Sequence, residues 1–129
     1  MQQDTLNDAM AVIKNAELVG KGECVVRPSS KLIGRVLKVM QESGYIRQFE
    51  LIEDGRSRMF RIALSGHINN CGVIRPRYPV KVADLERYEA RYLPAQDFGV
   101  LILSTTKGVL THMEAKKDGV GGKLLAFVY

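Results

Sequence analysis

Two cysteines and two histidines in 129 residues leave little material for metal or nucleophile chemistry. No Cys-x-x-Cys pair occurs, and His67, Cys71, His112 and Cys24 lack the ligand spacing of a zinc site. There is no Gly-x-Ser-x-Gly elbow to expose a serine nucleophile. Neither Gly-x-Gly-x-x-Gly nor a Walker spacing appears, which disfavours nucleotide binding. No apolar run approaches the ~20 residues of a membrane span. Met1-Gln2-Gln3-Asp4 has neither the basic start nor the apolar stretch of a signal peptide. Without secretory context the cysteines are expected to be free thiols in a cytoplasmic protein. Repeats, heptads and low-complexity tracts are missing too. No disordered basic tail is available to meet a partner, so a folded surface must do so.

What is present is the composition of an ordinary globular chain, 46% hydrophobic and 26% charged. Nineteen Lys and Arg against fourteen Asp and Glu leave a formal charge of +5, which favours a polyanionic partner such as nucleic acid. The charges are interleaved. Arg75 to Arg91 carries five positive and three negative residues, and Ser104 to Lys123 four and two.

Asp4 or Thr5 can cap a first helix whose residues Leu6, Ala9, Met10, Ile13 and Ala16 share one face, with Gly20 at its end. A short strand over 23–27 stops at Pro28. Ser29 or Ser30 then caps a helix over 31–43 that buries Leu32, Ile33, Val36, Leu37 and Met40. Segments 45–52 and 58–64 flank Asp54-Gly55, a hairpin signal. The first half therefore reads αβαββ. Ser65 to Gly72 is the best boundary, separating an α/β subdomain over 1–65 from a mostly β subdomain over 66–129. In the second part, strand pieces at 73–74 and 80–82 are broken by Pro76 and Pro79, and Leu85, Tyr88 and Tyr92 suit a helix stopped by Pro94. Phe98 to Leu103 is an apolar run fit for a strand covered on both faces. Thr111 and Glu114 have capping-box spacing for a short helix, and Lys123 to Tyr129 make a last strand. The expected fold class is α+β, in two small subdomains.

The most informative local feature is Ser104-Thr105-Thr106-Lys107-Gly108, where three hydroxyls, a cation and a glycine leave a buried strand. Hydroxyls both donate and accept, so such a loop can meet phosphates, riboses and base edges together. A plain polar turn accounts for it as well. Gly119-Val120-Gly121-Gly122-Lys123 follows a helix and precedes a strand, the wrong order for a phosphate-cradling loop. Pro28-Ser29-Ser30-Lys31 offers an anion site at a helix start, though simple capping explains its serines equally. Tyr45, Tyr78, Tyr88 and Tyr92 stand near several arginines, a mixture suited to stacking on bases; Tyr88 and Tyr92 also fit as packing residues of a short helix. Cys24 suits a core position, and the exposure of Cys71 is open. A hydrolase using Ser104 or Cys71 with His67 or His112 is the competing reading from another class.

Taken in order, these segments resemble the universal small-subunit ribosomal protein eight family over essentially the whole chain. The resemblance rests on Asn7-Asp8-Ala9, Pro28-Ser29-Ser30-Lys31, Glu42-Ser43-Gly44-Tyr45-Ile46, Ser104 through Thr111, and Gly119 through Lys123. Arg75 to Pro94 is similar to the archaeal–eukaryotic branch. The family likeness implies a two-subdomain α+β fold and a non-enzymatic constituent of the small ribosomal subunit. Such a protein binds the central domain of small-subunit ribosomal RNA, beside neighbouring ribosomal proteins, and supports assembly without a cofactor, metal or small-molecule substrate. It further implies RNA contacts from Ser104, Thr105, Thr106, Lys107 and Gly108, from Gly122 and Lys123, and from a second segment at Ser29, Ser30 and Lys31. Bacterial members commonly carry an acidic residue at the position of Lys123, so a contact through that carboxylate does not carry over. An RNA-binding or assembly module acting off the ribosome on the same fold is the alternative.

Overall fold

The computed structural model describes residues 5–27, 30–53, 55, 58–96 and 98–129. The capping candidate Asp4, the pair Pro28-Ser29 and Asp54 of the hairpin lie outside the described residues. Two compact units divide the chain, Met1–Gly72 and Val73–Tyr129. Residues 66–72 belong to the first of them.

In the first unit, α1 (Thr5–Leu18) buries Leu6, Ala9, Met10, Ile13 and Ala16, the stripe that its apolar spacing dictates. Strand β1 (Glu23–Val26) precedes α2 (Lys31–Glu42). Helix α2 buries Ile33, Val36, Leu37, Val39 and Met40. Leu32, expected among them, is only partly covered. It shares a flank of the helix with Val39, seven residues on, and only the C-terminal end of that flank is closed. Strands β2 (Ile46–Glu53) and β3 (Arg58–Leu64) complete an antiparallel sheet of order β1-β3-β2. The register sets Val26 and Leu51 on either side of Phe60, and Cys24 and Phe49 on either side of Ile62. One face of the sheet is thus apolar, while Arg61 and Glu50 pair on the other.

Strand β4 (Cys71–Val73) spans the division between the units. The second unit is built on strands in the order β8-β6-β7, with β5 also paired to β8. Its elements are β5 (Pro79–Val80), a 3-10 turn (Val82–Asp84), α3 (Leu85–Tyr92), β6 (Val100–Thr105), β7 (Gly108–Thr111), α4 (His112–Asp118) and β8 (Gly122–Val128). Val82 leaves the expected strand because the Asp84 amide turns back to the Lys81 carbonyl at 2.9 Å. Phe98 stands outside β6, half exposed, and its ring leans toward Tyr129 at 6.4 Å. Val100 to Leu103 are all buried, so the apolar run is a covered strand from its third residue onward. Leu85, Leu101, Leu103, Ala115 and Leu124 form the centre of this unit's core, and Tyr78, Tyr88, Tyr92 and Phe127 pack around it. The ring pairs Tyr78–Tyr88 and Tyr92–Phe127 each lie 5.8 Å apart, which gives these tyrosines packing roles. Helices and antiparallel sheets in separate segments make the fold α+β.

Candidate nucleic-acid interface

Strand β6 emerges from the core at Ser104, and only Thr106 and Lys107 connect it to β7. Thr105 pairs with Gly108 across this hairpin. Such a two-residue connection needs left-handed backbone nearby, and Gly108 supplies it at φ +107°. The Thr105 hydroxyl closes the turn from within. It donates to the Gly108 carbonyl at 2.8 Å and accepts the Lys107 amide at 3.0 Å. Ser104, Thr106 and Lys107 are exposed, and among the described residues their side chains make no hydrogen bond or ion pair. Of the three hydroxyls, two face outward and one holds the loop.

The other edge of β6 brings in the glycine pair. Thr105 is opposite Gly122, and Ser104 opposite Lys123. A methyl group on Gly122 would run into the Ser104 carbonyl oxygen, and one on Gly121 into the Val80 carbonyl oxygen. Both glycines therefore let β8 enter close against its neighbours. Lys123 is exposed on the same sheet face as Ser104 and, among the described residues, has no ion pair. Seven candidate positions, Ser104 to Gly108 with Gly122 and Lys123, thus form one continuous surface at the end of a three-strand ladder.

Helix α4 is what returns the chain to that place. Thr111 caps it by accepting the Glu114 amide at 3.2 Å, while the Glu114 carboxylate accepts the Thr111 amide at 3.2 Å. Where β7 ends, its pairing with β6 is continued by a side chain. The Leu101 amide donates to Nδ1 of His112 at 3.0 Å inside the core. Nε2 of the same ring lies 3.7 Å from the carboxylate of Glu89, which also pairs with Lys116. A histidine just after a capping threonine was the only sequence sign of this arrangement. Its role depends on a strand neighbour eleven residues away.

The second candidate segment belongs to the first unit. Ser30 caps α2, its hydroxyl accepting the Ile33 amide at 3.1 Å, and Lys31 is exposed on the first turn. Ser29 lies outside the described residues.

Of the groups a hydrolase would need, Cys71 and His112 are buried. Cys71 is 3% exposed, its thiol donates toward the Met10 carbonyl, and burial pushes its pKa up to about 12. Cys24 is half-buried, and burial followed by Glu17 and Glu23 raises it to about 11. His112 is closed into the core, and His67 faces the Gly44 carbonyl at 3.2 Å. Among the described residues no group of three or more His, Cys, Asp or Glu side chains is arranged to hold a metal ion. Among the described residues no helix is long and apolar enough to cross a membrane.

The family model described as Ribosomal protein S8 matches residues 4–129. The protein named small ribosomal subunit protein uS8 from Thermoplasma acidophilum is 60% identical over 129 residues, covering both chains completely. Those of the same name from Picrophilus torridus and Archaeoglobus fulgidus are 59% and 57% identical, again over the full length of both chains. All three relatives are archaeal, as the segment from Arg75 to Pro94 suggested. The chain belongs to the ribosomal protein S8 family.

Proposed function

We propose that this protein is a structural, non-enzymatic constituent of the small ribosomal subunit in the cytoplasm, where it binds the central domain of small-subunit ribosomal RNA and supports assembly. The supporting observation is the hairpin tip, where Ser104, Thr106 and Lys107 are exposed and Ser104 lies beside Lys123. RNA grooves are read through shape, ribose hydroxyls and unstacked bases, which suits a rigid loop rich in hydroxyls better than an inserted helix. Thr105, Gly108 and Gly122 hold that surface in shape. Ser29, Ser30 and Lys31 are proposed as a second contact, with Lys31 as its charged group, since the Ser30 hydroxyl is engaged in capping.

Titration of a central-domain transcript tests this reading. Thr106→Ala removes a direct contact and weakens binding by about 1 kcal/mol, roughly fivefold. Lys107→Ala weakens it through phosphate and lowers the slope of log Kd against log salt by about one. Unchanged Kd and slope in both variants would overturn the loop assignment. Sedimentation with small subunits separates a ribosomal constituent from a module that binds RNA but stays at the top of the gradient.

A further inference from the structure

Helix α2 places its charges against its own dipole. The positive N-terminal end of a helix favours acids and the C-terminal end favours bases. Helices α1, α3 and α4 each have an acidic residue in the first turn (Asp8, Glu86 and Glu114), and α3 and α4 have bases in the last. Helix α2 has no acid in its first turn and no base in its last. Instead Lys31 opens it and Glu42 closes it, with Arg35 and Lys38 between. Folding stability alone does not select that order.

The three cations also lie together. At 3.6 residues per turn, Lys31, Arg35 and Lys38 fall within about 60° of arc and span ~10 Å of helix. All three are exposed, opposite the buried stripe of Ile33, Val36, Leu37 and Met40. Among the described residues none has an ion pair, although Arg58 and Arg61 of the neighbouring sheet are paired with Glu53 and Glu50. Glu42 shares the arc at its far end, following Lys38 by four residues in the less favourable order for a helix pair. The ridge is therefore a row of cations, unpaired among the described residues, at the anion-attracting end of a helix.

We infer that Lys31, Arg35 and Lys38 form a second RNA-binding surface that grips the phosphate backbone of small-subunit ribosomal RNA. The inference rests on the proposed RNA-binding function and adds Arg35 and Lys38, which no motif singled out. Its chemistry is phosphate neutralisation, so it contributes affinity and salt dependence with no base preference.

The test is a salt titration of central-domain transcript binding by the full chain. Arg35→Gln/Lys38→Gln is compared with Lys14→Gln/Lys21→Gln, which removes the same charge from exposed positions off the ridge. Glutamine keeps helix propensity, and circular dichroism confirms folding. The ridge variant is expected to lower the salt slope by about 1.4–1.8 and to weaken binding roughly tenfold to fiftyfold at 0.1 M salt. The control moves both far less. Hydroxyl-radical footprinting should show one patch of backbone protection lost from the ridge variant, with the footprint sensitive to Thr106→Ala retained. Equal slopes and Kd values in the ridge and control variants overturn the inference, and leave the ridge to an acidic protein surface. Failure of the parent chain to bind the transcript sinks the RNA-binding reading itself, which distinguishes the two failures.

Discussion

At Thr105 the side-chain oxygen donates to the Gly108 carbonyl and accepts the Lys107 amide, so it shapes the turn that its neighbours present. Ser104 and Thr106, one residue to either side, keep their hydroxyls exposed. Three adjacent hydroxyls look equivalent in the sequence. The turn geometry separates them, because only the residue facing Gly108 across the ladder reaches both backbone groups. His112 is a second case of a polar side chain engaged with backbone. Its Nδ1 accepts the buried Leu101 amide at 3.0 Å. His112→Phe keeps the bulk and leaves that amide without its acceptor, so it should cost about 1–3 kcal/mol of stability. A urea midpoint equal to that of the parent would show the bond to be dispensable.

Among the elements, β8 decides whether the candidate interface exists at all. Its pairing with β6 sets Gly122 beside Thr105 and Lys123 beside Ser104, and the close approach leaves no room for a side chain at Gly122. Gly122→Ala must push the Ser104 carbonyl aside or shift β8. The expected destabilisation is about 1–3 kcal/mol, typical of overpacking. RNA affinity should fall in the same variant, since Ser104 and Lys123 lose their register. Thermal unfolding and RNA titration together check this; a variant of parental stability would remove the steric argument. The elements themselves were largely readable. The i, i+3, i+4 stripe of α1, the Ser30 cap of α2 and the Thr111–Glu114 box of α4 are all encoded within a few residues. The strand expected at 80–82 was less so, because a turn at Lys81–Asp84 competes locally with pairing.

For the molecule as a whole, alkaline pH is the sensitive direction for its thiols. Cys71 is raised to about 12 and Cys24 to about 11 from an ordinary value near 9, burial being the first cause in each. A group whose folded pKa is raised contributes its full stability below the unfolded value. It loses that stability as pH climbs toward the folded one. Stability should therefore hold to about pH 9 and decline above it, with Cys71 contributing on the order of 1 kcal/mol per pH unit until its folded pKa is reached. Cys71→Ala should flatten the fall in Tm between pH 9 and 11, and identical slopes in parent and variant would refute the linkage. Net charge acts at the same scale. The excess of +5 is proposed to aid encounter with a polyanion, while the hairpin tip and the α2 ridge are proposed to supply recognition and grip.

The sequence by itself determined the fold class, the helices with their caps, and the family, because periodicity, capping residues and ordered motifs are short-range signals. Tertiary structure alone decided which of Ser104, Thr105 and Thr106 face outward, why Gly122 must stay small, and that His112 completes a strand ladder. It also decided that Cys71 is buried and that Lys31, Arg35 and Lys38 have no ion pair among the described residues. Each of these depends on what lies across a sheet or around a helix, and such neighbours are set by packing between residues far apart in the chain.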